Sequence, residues 1–269
     1  MNNKKKLFRW IKIIVLVYCL IGIALFYLQD YIFFHPKPLP ATHIFQFNIS
    51  FKELTIPYSA NSKMNIVQFK TKDSIPKGVV LYFHGNRQNI ERYARFAPEF
   101  TRNGYEVWMI DYPGYGKSTG PFTEQKLYEW ALVFYKLARA RFSPDSIILY
   151  GKSMGTGIAT QLASIRDCKH LILETPYYSF PSLAGNYLPV YPLDRMIRFK
   201  VPTFEYIQKV TAPITILHGS DDGVIPIRNA KRLIPYLKTG DQFVIIEEGS
   251  HNDLSKYPLF LQKLDLILK

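Results

Sequence analysis

Cysteine is nearly missing from this chain, with only Cys19 and Cys168 among 269 residues. One of them lies inside an apolar run, so no disulfide framework holds the fold together. Metal-ligand spacing is missing as well: the six histidines form no H-E-x-x-H or comparable pattern. Neither a metal nor any other cofactor is expected. Gly116-Lys117-Ser118 and Gly151-Lys152-Ser153 look like the tail of a phosphate-binding loop, but the glycine needed five positions earlier is Asp111 in one and Ser146 in the other. Gly155-Thr156-Gly157 is followed by Thr160 where a dinucleotide fingerprint needs glycine. Past residue 12 no Lys/Arg cluster with interleaved aromatics occurs, which argues against a nucleic-acid partner. Repeats and low-complexity segments are also missing, and residues 13–28 carry no charge at all.

The balance of 48% hydrophobic and 20% charged residues is that of a folded protein. The length accommodates one large α/β domain plus an N-terminal appendage. Of the net charge of +13, Lys4, Lys5, Lys6, Arg9 and Lys12 contribute +5 before residue 13, leaving 13 − 5 = +8 for everything after. Together with Trp10, Ile11 and a snorkelling Lys12, the uncharged run reaches the lower limit for a transmembrane helix. A cleaved signal peptide has a shorter apolar region and an A-x-A site, which this chain lacks, so an uncleaved anchor over residues 1–30 is expected. The basic tail places the N-terminus in the cytoplasm and the rest across the membrane. Residues 31–44, with Pro36, Pro38 and Pro40, read as a stalk. A single α/β domain over 45–269 follows, expected to act as a monomer.

From Phe45 to Lys70, two β-rich runs flank a turn at Ser59–Lys63. After Gly78 the pattern alternates strand and helix, which predicts a mostly parallel sheet covered on both faces. The strands fall at Val79–Phe83, Val107–Ile110, Ile147–Tyr150, His170–Leu173, Ile214–Leu217 and Phe243–Ile246; helices fall near 88–102, 122–141, 154–166, 227–238 and 252–267. Residues 176–212 break this rhythm with eight aromatics and several prolines. They predict a small cap over the sheet's C-terminal edge, where open α/β sheets bind ligands. Tyr177 and Tyr178, at the start of the cap, are expected to touch substrate.

Gly151-Lys152-Ser153-Met154-Gly155 sits between a buried strand and small, helix-compatible residues. A G-x-S-x-G in that context is a nucleophile elbow, a tight turn that exposes the serine hydroxyl. Serine needs a base to remove its proton, and the base needs an acid to hold its tautomer. Both follow in the order Ser, Asp, His. Asp221 and Asp222 come after the strand Ile214–Leu217, and His251 comes after Phe243–Ile246. Adjacent side chains diverge, so only one aspartate can face His251. His84 and His218 each end a strand before a glycine and are expected to brace loops. An oxyanion needs two backbone donors; Met154, following the nucleophile, supplies one and Asn86, in Phe83-His-Gly-Asn-Arg87, the other.

The motifs Leu81–Asn86, Asp111–Ser118, Gly151–Gly155, His218–Asp222 and Gly249–Asp253 together resemble the α/β-hydrolase superfamily. With the N-terminal anchor and small cap, the chain is similar to single-pass, membrane-anchored abhydrolase-domain serine hydrolases related to acyl-protein thioesterases. The resemblance implies an α/β-hydrolase fold, selects Asp222 as the acid, and implies cleavage of esters or thioesters with a hydrophobic acyl group. Arg87 departs from the small residue common after His-Gly-Asn. The same fold also carries amidases and peptidases, usually with larger caps, and catalytically silent receptors or scaffolds. The filled triad positions favour the enzyme over the silent protein.

Overall fold

The computed structural model describes residues 3–269. Its first element, α1 (Asn3–Phe33), is one continuous helix. Its most apolar 18 residues have a mean hydropathy of 2.6 and none is buried, so the helix is long and apolar enough to cross a membrane. The chain then runs through β1 (His35–Pro36) into the hairpin β2 (Phe51–Ser59) and β3 (Ser62–Phe69). Next come β4 (Gly78–Phe83), β5 (Arg87–Gln88), α2 (Ile90–Tyr93), α3 (Pro98–Thr101), β6 (Tyr105–Ile110) and α4 (Glu124–Arg139). The second half holds β7 (Ile147–Lys152), α5 (Met154–Ala163) and β8 (His170–Glu174). The short helices α6 (Phe180–Gly185), α7 (Leu193–Met196) and α8 (Thr203–Ile207) follow, then β9 (Ile214–Gly219), α9 (Ile227–Ala230), β10 (Gln242–Ile246) and α10 (Pro258–Ile267).

Eight strands form one sheet in the order β10-β9-β8-β7-β4-β6-β3-β2. Only the β2/β3 and β3/β6 pairs are antiparallel. Along β4 the side chains alternate between two cores. Val79, Leu81 and Phe83 pack with Trp130 of α4 and Ile158 of α5, while Val80 and Tyr82 pack with Phe100 of α3 and Phe260 of α10. That two-sided burial is why β4 reads as an unbroken apolar run.

Every expected strand is present, within two residues at each end. The expected helices differ more. The run near 88–102 is broken into α2, a 3₁₀ turn and α3, because Asn89 caps α2 and Pro98, lacking an N–H, starts a new helix. The run near 227–238 is α9 followed by a 3₁₀ segment containing Pro235. In 252–267 a lone 3₁₀ turn precedes Pro258.

Residues 31–44 are not a free stalk, and this corrects the reading of their prolines. The helix runs on to Phe33, Phe34 is buried, and β1 pairs in parallel with β5. The Leu39 N–H donates to Gly116 O (2.7 Å) and Asn89 Nδ2 to Lys37 O (3.0 Å). The prolines prevent a helix here, but aromatic and backbone contacts dock the segment onto the body.

Candidate active site

β7 ends at Lys152 and α5 begins at Met154, leaving Ser153 alone at the turn with φ 52° and ψ −119°. A non-glycine residue at positive φ stores strain, and here the packing on both sides enforces it. A Cβ on Gly155 would lie 2.0 Å from Phe83 O, so α5 approaches β4 only because that position has no side chain. The loop after β4 runs beside the serine, with Gly85 close enough that a Cβ there would be 3.5 Å from Ser153 Cβ.

His251 Nε2 stands 3.0 Å from Ser153 Oγ, and His251 Nδ1 stands 2.8 Å from Asp222 Oδ2. The carboxylate only accepts, so Nδ1 carries the hydrogen and Nε2 is left to accept from the serine hydroxyl. The other Asp222 oxygen takes the N–H groups of Val224 (2.8 Å) and Ile225 (2.7 Å). Burial pushes the Asp222 carboxyl up, but the hydrogen bond and charge of His251, the Ile225 N–H and His218 outweigh it, and the net displacement is downward. Asp222 is therefore an ionised, fully bonded brace for the imidazole. Asp221 is exposed and accepts from Ser220 Oγ at 2.8 Å. Of the two adjacent aspartates, only Asp222 reaches His251.

His84 and His218 hold loops, as their positions suggested. His84 bonds Gly85 O (2.7 Å) and faces Asp111 Oδ1 (3.3 Å); His218 Nε2 donates to Ile225 O (2.9 Å). Asn86 lies beside the serine in the same cavity, its side chain donating to Phe33 O (2.5 Å) and its carbonyl accepting from the His35 N–H (3.1 Å). Met154 is the first residue of α5, whose N–H has no partner within the helix. Both also line the cavity of about 380 Å³ above Ser153, a volume typical of small-ligand sites.

The two cap tyrosines part company. Tyr177 is buried, lines the cavity and donates to Met154 O (3.3 Å). Tyr178 does not line it: its ring stacks on Phe204 at 4.4 Å and its hydroxyl meets that of Tyr236 (3.2 Å). The expected substrate contact at Tyr178 is thus corrected: its ring packs between the cap and the body, outside the cavity. The cavity walls missed by sequence reasoning are Ile32 and Phe33 of α1 and Phe180, Leu183 and Tyr187 of the cap. No periodicity signals that an apolar N-terminal helix ends in a pocket. Lys152 was also missed. Its ammonium pairs with Glu174, which accepts from the Tyr150 hydroxyl too, and reaches His251 O at 3.4 Å.

Residues 74–202 match the family described as serine aminopeptidase, S33. Alpha/beta hydrolase domain-containing protein 17C of Xenopus tropicalis is 31% identical over 193 residues, covering 69% of this chain and 59% of that protein. Human protein ABHD12B is 28% identical over 210 residues, covering 68% and 58% respectively. The chain is an α/β-hydrolase-domain protein. Solved structures agree on the fold of this α/β-hydrolase. An esterase of Pyrococcus furiosus superposes with a TM-score of 0.69 at 15% identity, covering 88% of this chain and 97% of the esterase. A soluble variant of Saccharomyces cerevisiae monoglyceride lipase gives 0.64 at 16% identity, covering 86% and 98%. The α/β-hydrolase chain spans under two thirds of the length of the curated relatives it matches.

Proposed function

We propose that this protein is a membrane-anchored serine hydrolase that cleaves carboxylic esters or thioesters of hydrophobic acids. The observation that carries the reading is the bonded series Ser153–His251–Asp222 at the floor of a cavity with an apolar wall of Ile32, Phe33, Phe180 and Leu183 and cationic Arg87 and Arg92 elsewhere in its lining. In this reading His251 Nε2 takes the hydroxyl proton as Ser153 Oγ attacks the acyl carbon. The negative oxygen that forms is held by the N–H groups of Met154 and Asn86. His251 then returns the proton to the departing alcohol or thiol, leaving an acyl-serine. Water, deprotonated by the same imidazole, attacks that intermediate and releases the acid and the free hydroxyl. Helix α1 serves as the anchor, with Lys4–Lys6 on the cytoplasmic side and the catalytic domain opposite, and the protein acts as a monomer.

The family description mentions an aminopeptidase, which makes an amidase the second reading. The apolar lining supplied by Ile32, Phe33, Phe180 and Leu183 favours acyl chains over a peptide's charged amino end. Each buried methylene contributes about 0.8 kcal/mol, so two added carbons raise kcat/KM roughly tenfold until the cavity is full. Cleavage of p-nitrophenyl acetate, butyrate and octanoate should rise along the series, with peptide anilides far slower. A flat or falling series removes the acyl-pocket reading, and faster anilide cleavage installs the amidase.

A further inference from the structure

The cap and the anchor are packed together along much of α1. The Tyr191 ring stacks on Tyr18 with centroids 4.5 Å apart and planes 4° from parallel. The Tyr191 hydroxyl donates to Tyr18 O (3.0 Å) and the Tyr18 hydroxyl to Val190 O (3.1 Å). Farther up the helix, Gln29, buried at 1% exposure, donates to Met196 O (3.3 Å) and accepts from the Arg198 N–H (2.7 Å). The last of these contacts is an exposed ion pair, Arg198–Asp30, at 2.8 Å.

Those contacts set a depth. Asp30 and Arg198 mark a level that stays in water or among headgroups. Tyr18 lies 12 residues down the helix, about 18 Å at 1.5 Å per residue. Tilting the helix by 40° still leaves about 14 Å, deeper than the 5–10 Å of an interfacial helix. The 15 residues below Tyr18 (3–17) reach only about 22 Å and hold all five N-terminal cations, so they alone cannot span a hydrocarbon layer about 30 Å thick. Hydrocarbon must therefore surround α1 above Tyr18, where the cap lies against it.

The cap tip is built for that environment. Tyr187-Leu188-Pro189-Val190-Tyr191-Pro192 carries no charge, and Val190 is 68% exposed. Two prolines remove backbone donors, the Tyr191 N–H donates to Leu188 O (3.3 Å), and the Tyr187 hydroxyl donates to Gly223 O (3.0 Å) and Val224 O (2.8 Å). Apart from the Val190 N–H, the tip's backbone N–H groups bond within the protein, as a hydrocarbon setting favours. The tip also begins at the cavity rim, where Ile32, Tyr187 and Val224 line the cavity while 43%, 56% and 51% exposed.

We propose that the cap tip Tyr187–Pro192 is immersed beside the anchor in the membrane leaflet, so that membrane-resident acyl esters pass from hydrocarbon to Ser153 along Ile32 and Tyr187. This rests on the reading of the protein as an anchored serine hydrolase. The test uses full-length protein in phosphatidylcholine vesicles, with Cys19→Ser and Val190→Cys carrying an NBD fluorophore; a second version carries it at Ile75→Cys, which is 83% exposed on the body. The NBD at position 190 should emit to the blue and be quenched by acyl-chain nitroxide lipids but not by aqueous iodide, with the reverse at position 75. Iodide quenching at both positions, in protein that floats with the vesicles, overturns the proposal and leaves the anchor intact. Protein that does not float overturns the anchor itself. In a functional arm, Val190→Asp should leave cleavage of soluble p-nitrophenyl butyrate unchanged while hydrolysis of a long-chain ester embedded in the vesicles falls about tenfold. Equal losses on both substrates overturn the proposal.

Discussion

Replacing Ser153 with alanine is expected to lower kcat by roughly 10⁴–10⁶-fold while the protein stays folded, because one hydroxyl at a turn is all that is removed. His251→Ala should cost about as much, since a serine without its base and a base without its serine are equally idle. Asp222→Asn should cost less than either, on the order of 10⁴-fold: the amide can present its N–H to Nδ1 and hold the wrong tautomer, yet cavity and oxyanion donors remain. The Asp221 side chain is exposed and bonded to Ser220, away from His251, so Asp221→Asn should leave kcat nearly unchanged. Steady-state kinetics on p-nitrophenyl butyrate, with circular dichroism to check folding, reads all four. If Asp221→Asn is the more damaging of the two aspartate variants, the acid has been assigned to the wrong residue.

The second large effect concerns stability. Lys152 and Glu174 are an ion pair at the ends of β7 and β8, each with a side chain only 3% exposed, and Tyr150 donates to the same carboxylate. Breaking a buried pair from one side leaves an uncompensated charge, which costs about 3–5 kcal/mol. Lys152→Met and Glu174→Gln should each destabilise by about that much, since one strands the carboxylate and the other the ammonium. The double variant Lys152→Met with Glu174→Gln strands neither, and the new amide oxygen still accepts from Tyr150. It should recover most of the loss. Denaturant unfolding in detergent measures this cycle, and costs that simply add contradict the coupling. Because Lys152 also reaches His251 O, the single variants should loosen the His251 loop and lower kcat as well.

These two sites differ in how readily they could be read from the sequence. Ser153, Asp222 and His251 each follow a strand of the parallel sheet, and a strand written in apolar residues fixes where its C-terminal loop emerges. The order of the strands then brings the three loops to one edge, so local patterns suffice. The choice between Asp221 and Asp222 came instead from a family resemblance; in the structure it is Asp222 whose carboxylate lies beside His251 Nδ1. Lys152 looked like part of a phosphate-loop decoy because its partner, Glu174, is 22 positions away on a neighbouring strand. Tyr178 and Tyr177 are adjacent and chemically alike, and only the position of Phe204 and Tyr236 decides which of them faces the cavity. The segment after α1 was misread for a related reason: prolines exclude helix but say nothing about docking. Phe34 shows how that docking works, packing against Phe122, Phe180 and Phe199, three aromatics distant in sequence.

The central claim is that Ser153 is a nucleophile activated by His251. A fluorophosphonate reports this directly, because phosphorus is attacked only by an activated hydroxyl and the adduct stays on the oxygen. Full-length protein in detergent, treated with the probe, digested and analysed by mass spectrometry, should carry one adduct, on the peptide containing Ser153. Ser153→Ala should take up none, and His251→Ala should be labelled far more slowly. An adduct on another residue, or labelling that survives Ser153→Ala, would contradict the account.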